Sequence, residues 1–354
     1  MAAPKVRPYL RRVNRNLTDG LNYLSKLNRK RVWNMAVVRG SYFAAKLTKK
    51  PLHLGMPISV SIEPTTSCNL RCPQCPSGLR EFSRPTGMLK EDLFRSTIDQ
   101  LAPTLTYLTL YFQGEPFLNP AFLEMVAYAD SKKIYTATST NCHHVTSEIA
   151  KRTVESGLDR LIISVDGTTQ DIYKQYRIGG HLDKVMEGTK QLVEWKRKLK
   201  SKTPHLVWQF IVFKHNEHQI EAFKELAKQL GVDEYGIKTA QVYDYENGNH
   251  LIPDNPEYSR YKEDLVQNGY SIQNKLLSHC WRMWQGCVIT WDGKVVPCCF
   301  DKDATHQIGD LQNTKFEDIW RSQPYQKFRA SVLRSRKEID ICQNCSEGTK
   351  VWHD

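Results

Sequence analysis

Three cysteines, Cys68, Cys72 and Cys75, lie within eight residues in the spacing C-x3-C-x2-C. Thiols packed this tightly do not make a disulfide framework, but they can hold three corners of a metal cluster. A cubane iron–sulfur cluster takes four cysteine ligands. A loop that supplies three, with no His or Cys close behind, leaves one iron open to a small molecule, much as a catalytic zinc keeps an open position. The competing reading is a structural zinc knuckle completed by a distant ligand. A second group gathers near the C-terminus: Cys280, Cys287, Cys298, Cys299, Cys342 and Cys345. Cys342 and Cys345 form a chelating pair two residues apart. Residues 290–296 read as a hairpin around an Asp-Gly turn, which brings Cys280 near Cys298.

The elements that must position these thiols are legible in the alternation of the chain. Ile58, Val60 and Ile62 alternate as a strand that runs into the first cysteine loop. Strand patterns at 58–63, 105–112, 134–139, 160–166, 206–213 and 234–239 are separated by helical stretches at 90–101, 121–132, 147–156, 182–199 and 218–230. Gly157 and Gly231 follow two of these helices, where a left-handed cap is wanted. Six β-runs joined by helical crossovers imply a parallel sheet with right-handed connections. Chemistry in such folds sits at the C-terminal ends of the strands. Six units are too few for an eight-stranded barrel, so the expected fold is α/β, an open partial (β/α)6 barrel.

On these residues the chain resembles the radical S-adenosylmethionine (SAM) family. The resemblance implies a [4Fe-4S] cluster on Cys68, Cys72 and Cys75 whose open iron is chelated by the amino and carboxylate groups of SAM. It implies reductive cleavage of SAM to a 5′-deoxyadenosyl radical, hydrogen abstraction from a substrate, and a reductase or flavodoxin-type electron donor. Gln74 departs from the family, which usually has an aromatic residue before the third cysteine. After the second strand, Gln113-Gly114-Glu115 resembles the Gly-Gly-Glu motif, which implies that Gly114 and Glu115 receive the SAM amino group. After the third, Ser139-Thr140-Asn141 resembles a Thr-Asn-Gly turn near the SAM ribose, with Cys142 where glycine is common. After the fourth, the run from Ile163 to Gly167, with Arg177 eleven residues beyond Asp166, resembles I-S-x-D-G…R. Ser164 and Arg177 are then implied to hold the SAM carboxylate, which the planar guanidinium fork matches. Asp166 itself reads as a turn or helix-cap residue. No G-x-I-x-G-x-x-E adenine motif is present.

The last quarter resembles the SPASM extension of that family: Cys280, Gly293 and Cys298 meet its C-x(9–15)-G-x4-C opening, with twelve residues before the glycine. The chain has no cysteines beyond Cys345, so the resemblance implies a shortened, twitch-like domain with one auxiliary [4Fe-4S] cluster. Its expected ligands are Cys280, Cys298, Cys342 and Cys345, with Cys287 as the substitute and a four-thiolate zinc as the competing metal. Cys142, Cys287 and Cys299 remain. Cys142, expected to face the ribose, is the candidate hydrogen donor an epimerase would need, although a free cysteine is often a buried filler. An auxiliary cluster suits the electron outflow of a dehydrogenase, so net two-electron oxidation is expected over epimerisation.

With 354 residues the chain has room for a main domain and a smaller one. The expected division is 1–56 as a basic helical arm, 57–240 as the barrel, 241–279 as a linker and 280–354 as the cluster domain. Tyr243, Asp244 and Tyr245 of the linker are candidates for substrate contact. The net charge of +12 belongs entirely to residues 1–50, which hold 13 Lys/Arg and one acid, Asp19; the other 304 residues balance at 37 bases and 37 acids. Apolar residues recur at helical spacing in this arm (Leu10, Val13, Leu17, Leu21, Leu24), with Arg11, Arg12, Arg15 and Lys26 among them. Such a segment lies on an anionic membrane or grips an acidic partner, or it docks on the body with its charges solvated. Nucleic acid is the weakest partner, because no nucleic-acid motif accompanies the arm. No transmembrane run and no signal peptide is visible. Ten cysteines without an export signal indicate a reducing, cytoplasmic compartment, with membrane association peripheral if the arm provides it. The arm is too short for the leader-binding domain of peptide maturases, and one auxiliary cluster is implied where many of those have two. A small or carrier-linked polar substrate, a lipid-linked sugar foremost, is therefore expected. A peptide-modifying SPASM maturase and a non-catalytic iron–sulfur carrier are the alternatives.

Overall fold

A computed structural model describes residues 17–264 and 268–353. Leu10, Arg11, Arg12, Val13 and Arg15 of the basic arm lie outside the described residues.

Six parallel strands form the centre: β1 (Ser59–Ile62), β2 (Tyr107–Thr109), β3 (Tyr135–Thr140), β4 (Arg160–Ser164), β5 (His205–Val212) and β6 (Glu234–Thr239). They lie side by side in chain order, which right-handed helical crossovers produce. Every expected strand and helix is present, and the short helix Gln170–Tyr176 is an addition that the pattern did not reveal. The helices show why their sequences fold. In Ile220–Leu230 the buried residues Ile220, Phe223 and Ala227 fall on one face, and Gly231 at φ 76° closes the C-terminus. Phe223 packs against Trp208 and Phe210, which alternate along one face of β5. That alternation sends Val207, Gln209 and Ile211 to the lumen.

β2 is shorter than expected because the chain leaves the ladder to meet the cysteine loop. Leu110 still donates to the Ala137 carbonyl at 2.7 Å, but beyond it the Glu115 N–H donates to Ser67 O at 2.8 Å and the Gly114 N–H to Ser77 Oγ at 2.8 Å.

The lower end of the lumen is closed by the described part of the arm, a docked helix pair, Leu17–Ser25 and Arg29–Thr48. The ring of Tyr23 packs on Tyr107 and Tyr135, Asn22 donates to Asp159 at 2.8 Å, and Asp19 pairs with Arg160 at 2.6 Å. Arg31 is buried and donates to four backbone carbonyls, those of Lys26, Ala102, Lys132 and Lys133. A charge placed this way serves packing rather than a solvated surface.

The C-terminal quarter does not hang beside the barrel. Strands β9 (Gly286–Ile289), β10 (Lys294–Val296) and β11 (Gly309–Asp310) continue the same sheet, with β9 parallel to β1, and β12 (Trp352–His353) pairs antiparallel with β6. The expected turn between β9 and β10 is present, with Gly293 at φ 90°. Residues 241–279 are not a solvated linker. They contribute a hairpin, β7 (Tyr261–Asp264) with β8 (Gly269–Ile272), and bury Val242, Leu251, Ile252 and Tyr261 against Leu70, Cys72, Tyr176 and Phe213. The reason is apolar: these side chains cover the cysteine loop.

Candidate active site

The loop after β1 is shaped to hold Cys68, Cys72 and Cys75 together. Its amide at Cys75 bonds back to Cys72 O at 3.2 Å, and Cys75 opens the short helix Pro76–Leu79. That helix approaches so closely that a Cβ on Gly78 would sit 2.5 Å from the Cys72 backbone. Opposite, Gly114 holds φ 73°, and a Cβ there would lie 2.2 Å from Thr65 O. Only glycine fits either place.

A cavity of about 290 Å³ opens at the C-terminal strand ends. Cys68, Cys72 and Cys75 line it together with Gly114, Glu115, Asn141, Ser164 and Arg177, so residues from four separate strand ends meet where the sequence places them. Donors aim at the sulfurs: Asn141 Nδ2 lies 3.8 Å from Cys68 Sγ, Arg177 Nη1 3.8 Å from Cys72 Sγ, and the Leu70 N–H 3.5 Å from Cys68 Sγ. Such donors fit thiolates. Burial pushes the Cys72 thiol up to about 12, so the cationic iron–sulfur core is what would draw off its proton. Among the described residues no three His, Cys, Asp or Glu side chains close around a single ion; a cubane is larger than an ion and its ligands stand further apart. The donor set fits the cluster.

Burial also pushes Glu115 up, to about 7, against hydrogen bonds from the Asn141 N–H at 2.7 Å and Thr140 Oγ1 at 2.8 Å. Asp166 is neither a cap nor a turn residue. The following helix is capped by Thr169, while Asp166 accepts from Arg177 Nε at 2.6 Å and from the Ile211 N–H at 2.7 Å.

Cys142 is a correction. Its backbone takes φ 65°, and the buried thiol turns away from the cavity to pack against Gly188 and Thr189 of the helix Leu182–Lys198. The left-handed residue reverses the direction that strand alternation suggests. The spare thiol on the cavity wall is Cys299, with Arg282 Nη1 4.0 Å from its sulfur. Tyr111, Tyr176 and Lys302 also line the wall and were not picked out in the sequence. Alternation past β2 was the available signal for Tyr111.

In the C-terminal quarter, Cys280, Cys298, Cys342 and Cys345 lie within electrostatic reach of one another, with Arg336 beside three of them. The Glu347 N–H points at Cys345 Sγ from 3.3 Å. A guanidinium and an amide facing four thiols suit an anionic thiolate-bound cluster. Cys287 stands apart: it sits in β9 opposite Val60 and packs near Tyr325 and Arg329.

A buried ion pair locks the two regions. Glu63, at the end of β1, takes Arg84 Nη1 at 2.8 Å and Nη2 at 2.6 Å, while the Trp291 N–H reaches Glu63 at 3.2 Å and Arg84 Nε donates to Lys302 O at 2.7 Å.

The barrel with three thiols at its first strand end matches the radical SAM superfamily over residues 62–227, and the cysteine-rich quarter matches SPASM, an iron–sulfur cluster-binding domain, over residues 280–346. The chain belongs to the radical SAM superfamily and carries a SPASM domain. It accordingly binds SAM with a [4Fe-4S] cluster and an auxiliary iron–sulfur cluster. It is similar to the tungsten-containing aldehyde ferredoxin oxidoreductase cofactor-modifying protein of Pyrococcus furiosus, 26% identical over 80% of this chain and 86% of that protein. It is also similar to the AdoMet-dependent heme synthase of Methanosarcina barkeri, 25% identical over 75% of this chain and 82% of that protein. Among solved structures, Streptococcus suis SuiB bound to S-adenosylmethionine superposes with a TM-score of 0.61 at 15% identity, over 88% of this chain and 76% of that one. The native anSMEcpe with bound AdoMet gives 0.58 at 18% identity, over 83% and 91%. These two show the fold.

Proposed function

We propose that this chain reductively cleaves SAM and uses the radical to take hydrogen from a C–H bond of a small or carrier-linked polar substrate. The observation that carries this reading is the convergence of Cys68, Cys72, Cys75, Gly114, Glu115, Asn141, Ser164 and Arg177 on one cavity. When bound to the three loop cysteines, the cluster supplies the electron that breaks the C5′–S bond of SAM. Arg177, held by Asp166, and Ser164 receive the SAM carboxylate; Gly114 and Glu115 receive its ammonium; Asn141 faces the ribose. Cys280, Cys298, Cys342 and Cys345 hold the auxiliary cluster. The division into arm, barrel, covering segment and cluster domain at 56, 240 and 279 goes with this reading, as does a flavodoxin-type electron donor.

Net oxidation is the favoured outcome. Cys142 turns its thiol into a helix, which removes the donor first considered for epimerisation, whereas the auxiliary cysteines adjoin the cavity through Cys299. The names of the two relatives refer to heme and to an enzyme cofactor, which supports a cofactor-like small molecule over a peptide. The test is anaerobic: reconstituted protein with SAM and dithionite should release 5′-deoxyadenosine and methionine. Absence of both from protein with its full iron content would refute the reading.

A membrane role for the arm has its own support. The two N-terminal helices and the segment after them expose Leu17, Leu21, Leu24, Val32, Trp33, Phe43, Leu47, Leu52 and Leu54, with Trp33 at 72% and Leu47 at 84%. Their one acid, Asp19, is occupied by Arg160. Exposed apolar side chains on a segment that also exposes Arg29, Lys30, Lys46, Lys49 and Lys50 suit an anionic lipid surface. Among the described residues no helix is long and apolar enough to cross a membrane, so contact would be with the surface. On this ground the lipid-linked sugar expected from the sequence is kept as a substrate class beside a cofactor-like small molecule.

A further inference from the structure

The C-terminal quarter holds a buried cation whose place the acids around it do not explain. Arg336 opens the short helical turn Arg336–Glu338 and is 2% exposed. Its Nη1 donates to the Glu347 carbonyl at 3.3 Å, but Nε and Nη2 are buried and make no hydrogen bond among the described residues. The groups that act most strongly on its charge are three thiols, Cys345, Cys280 and Cys342. Each of these is acted on in turn by Arg336. The loop opposite is fixed as well: Asn274 Nδ2 donates to the carbonyl of Cys345 at 2.5 Å and to that of Glu347 at 2.9 Å.

The acids of this region are committed elsewhere. Glu347 takes Arg282 Nε at 2.8 Å, Glu338 takes Arg334 at 3.1 Å and Asp340 takes His306 at 2.6 Å, and among the described residues no carboxylate pairs with Arg336. The guanidinium beside the SAM-cluster thiols differs in this respect, because Asp166 neutralises Arg177 at 2.6 Å. An interior cation with two idle donors is costly unless a counter-charge meets it. Four thiolates on an iron–sulfur core supply one, since the assembly is an anion that gains a further negative charge on one-electron reduction. Net charge and hydrogen bonds to the sulfurs are what set the potential of such a cluster.

We propose that Arg336 is the counter-charge of the auxiliary cluster: its Nε and Nη2 donate to the cluster's sulfurs and raise its reduction potential. The inference rests on the reading of Cys280, Cys298, Cys342 and Cys345 as ligands and on the proposed oxidation. A nearby cation favours the more negative, reduced state, and a cluster that accepts an electron readily is what that oxidation requires. The substrate radical gives one electron to the cluster and one proton to water. Arg suits the place because it stays protonated and its planar fork offers several donors in one direction.

The test is a redox titration of the anaerobically reconstituted holoenzyme, read by electron paramagnetic resonance. The auxiliary signal is the one that survives alanine at Cys68, Cys72 and Cys75. Arg336→Gln should shift its reduction equilibrium about tenfold or more towards the oxidised form, about 59 mV lower for one electron, with the SAM-cluster potential unchanged. Arg336→Lys keeps the charge and should recover most of the shift. Arg334→Gln, which removes an exposed cation two residues away, should cause none. Where Arg336→Gln loses its auxiliary iron, the parent protein decides: with nitrogen-15-labelled arginine, the reduced auxiliary cluster should show a nitrogen coupling that is lost in Arg336→Lys. The proposal is overturned by an unchanged potential in Arg336→Gln, by an equal shift in Arg336→Lys or Arg334→Gln, or by absence of that coupling. Release of 5′-deoxyadenosine by the wild-type protein, measured alongside, judges the SAM-cleavage reading separately.

Discussion

Arg177 donates from Nε to Asp166 at 2.6 Å and brings Nη1 to 3.8 Å from the Cys72 sulfur, so one guanidinium joins the fourth strand to the cysteine loop. Asp166 fixes the plane of the fork, and the fork faces the thiols. Replacing Asp166 with Asn keeps the size but removes the charge that orients Arg177. SAM affinity, measured by calorimetry on cluster-loaded protein, should fall by about 10–100-fold, the usual cost of an orienting partner. Arg177→Lys should not rescue it, because an ammonium cannot contact Asp166 and a carboxylate in one plane. Unchanged affinity in both variants would remove Arg177 from the SAM site.

Metal content separates the two cysteine groups. Anaerobically reconstituted protein should hold about eight irons if both clusters are cubanes. Alanine at Cys68, Cys72 and Cys75 should remove one cluster and all SAM cleavage. Alanine at Cys342 and Cys345 should remove the other and leave slow cleavage. Cys287→Ala should keep both clusters, since that thiol faces Tyr325 and Arg329. Zinc in the second site would argue against an auxiliary cluster there.

The Glu63–Arg84 pair is buried on both sides, with the two side chains 0% and 3% exposed. Arg84→Met would leave the carboxylate without its partner, and the cost should be about 3–5 kcal/mol in urea unfolding. The double variant Glu63→Gln with Arg84→Met should recover part of the loss. A loss under about 1 kcal/mol would show that the pair is not the lock between barrel and cluster domain.

How far the sequence reveals this molecule depends on the range of each interaction. The six strands were legible because alternation and helix caps are local, and the cavity residues because short motifs near the strand ends resemble those of the radical SAM family. The pairing of β9 with β1 joins Cys287 to Val60, and nothing near either residue announces it. Cys142 misled because one left-handed residue reverses a side chain that alternation sends inward.

His53 gives the fold a pH dependence. Burial, with Arg329 nearby, lowers its pKa from 6.5 to about 3, while its Nε2 meets the Trp284 carbonyl at 2.9 Å. The folded protein keeps the ring neutral, but the unfolded chain protonates it below its ordinary value. Its contribution is therefore full above pH 6.5 and declines as pH falls towards 3. Between pH 7 and pH 5 the loss should be about 1–2 kcal/mol, read as a falling urea midpoint. His53→Phe should flatten that part of the profile, and an unchanged slope would rule His53 out as its source.

For the arm, binding to vesicles should rise with anionic lipid and weaken with salt, because charges are screened over about 10 Å at 0.1 M. The docked helices close the barrel, so truncation would confound the result. Trp33→Ser with Leu47→Ser, both on the exposed side, is the cleaner variant and should lower vesicle binding while sparing iron content. Equal binding by variant and parent would leave the helices as structural elements alone.

A partial barrel has two free edges, and an unpaired edge invites pairing with another chain. Here β9 covers one and β12 the other, both drawn from the last quarter of the chain. During synthesis the six barrel strands leave the ribosome well before either cover exists. The emerging protein therefore passes through a stage in which its sheet is open at both sides and its cysteine loop lacks neighbours. Chaperone demand and aggregation in cells should be concentrated in that interval, and a stop codon at Trp352 should be far more harmful than three lost residues suggest.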